Sequence, residues 1–90
     1  MLKIESVADS PGSITYAVAG DLNAEHLLVL KRIVNQARRT HESVVLDLHE
    51  VTFVDRESLH YLAGVLGPGL RLTQCPAYVR RWIKEETHRG

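Results

Sequence analysis

Little in this chain points to metal, redox or membrane chemistry. It has one cysteine, one methionine, one tryptophan, one phenylalanine and three prolines in 90 residues. With Cys75 alone, no intramolecular disulfide, zinc ribbon or CxxC redox pair can form, which suits a reducing compartment. No apolar run nears the ~20 residues that span a bilayer. The opening "MLKIESVADS" lacks the basic start and long apolar stretch of a secretory signal. An excess of one charge is missing too, since 11 basic residues offset 11 acidic ones. A nucleic-acid partner calls for a basic stripe, so this balance argues against one. The expectation is a cytoplasmic protein, complete in itself, with no direct membrane insertion, linker, repeat or low-complexity segment.

What is present reads as one small globular domain over residues 1–90. Apolar residues make up 44% of the chain and charged ones 24%, an ordinary soluble balance. Leu2 to Ala8 alternates loosely, "DSPGS" is a dense turn signal, and Ile14 to Ala19 alternates again, so a hairpin is expected. Gly20 breaks the pattern. Asn23 suits an N-cap, and Leu27, Leu30, Val34 and Ala37 then recur at helical spacing to about Arg39. Val44 to Leu48 is nearly all apolar, as in a central strand covered on both faces. Val51, Phe53 and Val54 read as an apolar loop, and Asp55 as the cap of a second helix with Leu59, Leu62, Ala63 and Leu66 inside. "GPG" ends that helix. Leu70 to Thr73 is a short strand, and Pro76 opens a last helix that buries Val79, Trp82 and Ile83. The order β-β-α-β-α-β-α implies an α/β fold. Its mixed four-stranded sheet has spatial order 1-2-3-4, with crossover helices packed on it.

The corner "DRES" is the most informative stretch. As plain helix chemistry, Asp55 accepts from free amides of the first turn, worth ~1 kcal/mol. Glu57 adds negative charge where the helix dipole favours it, worth about 0.3–1 kcal/mol. Arg56 can pair with Glu57 or Asp47, or point outward to a partner.

In its surroundings the corner says more. The segment "VVLDLHEVTFVDRESL" resembles the signature of the sulfate transporter and anti-sigma factor antagonist (STAS) domain. There, a strand carrying Asp-Leu leads through an apolar loop into Asp-Ser-Ser-Gly-Leu at a helix start. Asp47 and Leu48 match the first pair, and Asp55 and Leu59 match the ends of the corner. "GDLNAEH" resembles the family's Gly-Glu-Leu-Asp segment: Gly20 and Leu22 fit, Asp21 is a conservative change, and Asn23 stands where aspartate is common. The likeness runs from about Ile14 to Ile83. It implies a STAS-like fold and a non-catalytic interaction module of bacterial signalling and transcription regulation, without cofactor. The implied partner is a kinase-like anti-sigma factor. The implied contact set is Asp55, Arg56, Glu57 and Ser58, bordered by Asp21, Asn23 and Asp47.

One departure matters. Members switched by phosphorylation carry the acceptor at the second serine, which is Glu57 here. Arg56 replaces the first serine and Ser58 the glycine. Glutamate takes no phosphoryl group, and offers about one charge where phosphoserine offers roughly 1.5 to 2. Ser58 is the alternative acceptor, one residue and about 100° farther round the helix.

Two rival readings stand beside this one. Some STAS domains are cytoplasmic accessory subunits of membrane transporters, which makes a transporter subunit a second candidate partner. Alternatively, Asp47, Asp55 and Glu57 cluster to hold a cation or do acid-base work. The five histidines, His26, His41, His49, His60 and His88, show no helical i, i+4 zinc spacing and read as surface or cap residues. An apolar patch near Tyr78 and Trp82 would suit a second copy of the chain or another protein.

Overall fold

The computed structural model describes residues 1–89, with side chains through Glu85. Its elements are β1 (Leu2–Ser10), β2 (Ser13–Leu22), α1 (Ala24–Thr40), β3 (Ser43–Val54), α2 (Arg56–Val65), β4 (Leu70–Thr73) and α3 (Ala77–Arg89). The sheet order is β1-β2-β3-β4. β1 is antiparallel to β2, while the β2–β3 and β3–β4 pairs are parallel. Element order and sheet order agree with the sequence reading. At the hairpin, Gly12 takes φ +85° after Pro11, the backbone a Pro-Gly turn of type II requires.

The two crossovers advance the same way across the sheet, so right-handed connections put α1 and α2 on one face. Burial agrees. Ile14 and Val18 of β2 and Val44, Leu46 and Leu48 of β3 join Leu30, Val34, Leu59, Leu62, Val79 and Ile83 of the helices in one core cluster. The opposite face is open: Lys3, Glu5, Ala17, Ala19, Asp47 and His49 line a shallow cleft there. This corrects the expectation that β3 is covered on both faces. Val45 raised that expectation, being apolar and only 9% exposed, but it lies outside the core cluster.

β3 is also longer than expected. Its register against β2 runs Ala17↔Asp47, Ala19↔Glu50, Gly20↔Val51 and Asp21↔Phe53. β3 thus spends one surplus residue between Asp47 and Glu50 and another between Val51 and Phe53. Each surplus residue makes a bulge and resets which side chain faces inward. Leu48, Val51 and Val54 are therefore all buried at intervals of three, where an unbroken strand would alternate. The spacing looked like a loop because bulged strand does not have period two.

β2 runs through Gly20 to Leu22, which is fully buried. Gly20 is at φ +94°, and a Cβ there would run into the Met1 carbonyl oxygen. That same oxygen accepts from the Asp21 amide at 3.1 Å. The break in the pattern is thus a conformational kink inside the strand, which only glycine fits. In α3, Val79 and Ile83 form the inner stripe, while Trp82 is 43% exposed, a correction to the expectation that it packs on the sheet. It sits about 100° back from Ile83 on the helix and stacks edge-on against Tyr78, with ring centroids 6.2 Å apart.

Candidate functional site

Two helix starts meet at one carboxylate. Asp55 follows β3 in extended backbone and is the N-cap of α2. Its Oδ1 accepts from the Ser58 amide at 2.8 Å, and its Oδ2 accepts from the Ala24 amide, the first of α1, also at 2.8 Å. The Asp55 amide in turn donates to the Leu22 carbonyl at 3.0 Å. One side chain therefore satisfies orphan donors of both helices and is tied by its backbone to β2. Burial pushes the Asp55 carboxyl up, but the neighbouring Ser58 hydroxyl and the Ser58 and Ala24 amides outweigh it and hold the group below its usual range. The Ser58 hydroxyl lies outside hydrogen-bond geometry, whereas both amides are well placed at 2.8 Å.

The residues bordering the corner are engaged in the same way. Asn23 is the N-cap of α1 and accepts from the His26 amide at 3.1 Å. Asp47 accepts from the His49 amide at 2.9 Å, which occupies an N–H at the first bulge of β3. Asp21 accepts from the Thr52 hydroxyl at 3.1 Å, at the second bulge, and lies 3.5 Å from the Met1 amine. Four of the seven expected contact residues thus spend side-chain oxygens on caps and bulges.

Ser58 departs furthest from expectation. It is 0% exposed, and its Oγ has no hydrogen-bond partner. It lies one turn before Leu62 on the inner stripe of α2, so it faces the core and not a partner. Arg56 and Glu57, by contrast, are exposed at the tip of α2. Among the described residues Arg56 forms neither the pair with Glu57 nor the pair with Asp47, so its guanidinium is left to solvent.

Phe53 was missed. It is 50% exposed, two residues before the shared cap. The sequence reading placed it in an apolar loop, whereas it lies in β3 at the second bulge, turned to solvent. The only available signal was its place between Thr52 and Val54, and that becomes readable once the bulges are known. A second missed contact lies at the far end of the sheet. His41 Nε2 is 2.8 Å from Asp9 Oδ1, and its Nδ1 is 2.8 Å from Thr40 Oγ1. These bonds fasten the β1–β2 hairpin to the end of α1.

Among the described residues, no three histidine, cysteine or acidic side chains come together in a group able to hold a metal ion. Asp47, Asp55 and Glu57 therefore do not form the cluster that the cation or acid-base reading needs. No described helix is long and apolar enough to cross a membrane. His88 lies outside the described side chains.

No family model matches the sequence, and no curated protein matches it. Solved structures do. The anti-sigma factor antagonist SpoIIAA in its unphosphorylated form superposes with a TM-score of 0.70 at 9% sequence identity, covering 88% of this chain and 79% of that one. The chain has the STAS-like fold. At this identity the likeness speaks for the fold, whose four-stranded mixed sheet and three helices both proteins share.

Proposed function

We propose that this domain is a non-catalytic interaction module of bacterial signalling, akin to an anti-sigma factor antagonist, that docks a protein partner through the tip of α2. The observation carrying this reading is a division of labour at the corner. Asp55 and Ser58 are taken up by the fold, while Glu57, Arg56 and Phe53 stand outward. Exposed aromatic and arginine side chains are enriched at protein interfaces. Asp21, Asn23 and Asp47 shape the rim by fixing the strand and helix ends. On a gapless placement against the STAS corner, Glu57 holds the position of the phosphoacceptor serine. Its charge is then permanent, and the module does not cycle with a kinase and phosphatase. The partner by analogy is a kinase-like anti-sigma factor, since the structural neighbour is an anti-sigma factor antagonist.

Glu57→Ala should weaken binding of a kinase-like partner about tenfold while lowering Tm by no more than a few degrees, since an exposed helix-start charge contributes only ~0.3–1 kcal/mol. Phe53→Ala should behave likewise. Calorimetric titration of the partner beside thermal melts decides the matter. A steep fall in Tm with binding untouched would reduce Glu57 to a dipole complement and remove the docking role.

A further inference from the structure

At the opposite end of α2 from the corner, the edge strand β4 borders a groove of about 470 Å³. Leu66 after α2, Leu72 of β4 and Ile83 of α3 supply apolar lining, and Cys75, Arg71 and Arg80 line it as well. Among the described residues, no carboxylate lines it. We propose that this groove binds a monomeric aliphatic carboxylate, with the alkyl chain along Leu66, Leu72 and Ile83 and the head group on the two arginines. This inference stands apart from the docking role of the α2 tip.

Three observations support that occupant. The volume falls within the roughly 300–1,000 Å³ of small-molecule sites, which are mostly apolar with a few placed polar groups. The charge of the described lining is of one sign, and a guanidinium fork pairs bidentately with a carboxylate. Arg80 is also held in place: its Nη2 donates to the Cys75 carbonyl at 3.2 Å, so the head group beside Cys75 is anchored while further donors remain. Arg71 has no ion-pair partner among the described residues. Burial pushes the Cys75 thiol up despite the opposing pull of Arg80, so this part of the lining is an uncharged, soft surface suited to a hydrocarbon chain.

Because Cys75 is the chain's single thiol, its alkylation rate reads groove occupancy directly. Labelling with a neutral maleimide should slow at least tenfold when dodecanoate is added below its micelle concentration. Octanoate should protect less, and dodecyltrimethylammonium should leave the rate unchanged. Arg80→Gln should raise the dodecanoate concentration needed for half protection about tenfold, each protein being compared with its own unliganded labelling rate, which loss of the Arg80 charge beside Cys75 should lower. Equal protection by the cationic amphiphile would show a merely greasy surface and overturn the proposal. Unchanged or faster labelling with dodecanoate overturns it as well. So does protection by anionic phospholipid vesicles or by an acidic peptide where free dodecanoate gives none.

Discussion

Asp55→Ala should lower stability by ~2–3 kcal/mol, because it strips a cap from two helices at once. Each bond is 2.8 Å long and runs from an amide to an ionised oxygen, the stronger class of hydrogen bond. For a domain of this size the loss corresponds to a fall in Tm of roughly 10 °C or more. Asp55→Asn separates the two contributions. The amide side chain has one acceptor oxygen, so it keeps one cap, and its Tm should lie between wild type and alanine. The effect also depends on pH. The folded-state carboxyl is held below the ordinary value of 3.8. Its contribution is therefore complete above that value and fades as the pH falls through the lower folded value. The gap between wild type and Asp55→Ala should be constant near neutrality and narrow in acid. Urea melts at several pH values measure it. Equal stability of the alanine variant at pH 7 would mean that water replaces the carboxylate at both helix starts.

Ser58 should show two opposite responses. Ser58→Ala removes a buried hydroxyl that has no partner, so stability should hold or rise by up to about 1 kcal/mol. Ser58→Asp places a carboxylate at a site with 0% exposure, and should cost on the order of 3 kcal/mol or more, with partial unfolding at 37 °C. The same burial keeps a kinase from reaching the hydroxyl. Incubation of wild type with a kinase-like partner and ATP should leave the protein unlabelled, as intact mass would show. Label on Ser58 would mean that the first turn of α2 opens in solution. A loss of more than 1 kcal/mol in Ser58→Ala would mean that the hydroxyl donates fully to Asp55.

Helices α1 and α2 were the most legible part of the chain, because each has one clear inner stripe and a polar cap. Leu27, Leu30, Val34 and Ala37 are all buried, and both Asn23 and Asp55 cap as expected. The strands were less so where the backbone departs from period two. The kink at Gly20 and the bulges of β3 hid nine residues of strand, 20–22 and 49–54, behind a pattern that reads as connection. At the corner, residue type alone located the helix start, but which face of α2 meets the sheet depends on the whole fold. That is why Ser58 was placed outside and Phe53 overlooked. The reach of Asp55 to Ala24, 31 residues away, has no local signal at all. It follows from the parallel pairing that brings the ends of β2 and β3 together.

That long reach has a dynamic consequence. Helix ends usually fray one at a time, each on its own local free energy. Here the amide hydrogens of Ala24 and Ser58 share an acceptor group, so loosening the side chain that holds one exposes the other. Deuterium uptake at the two amides should rise in step, and a protein clamped onto either helix tip should slow exchange at both.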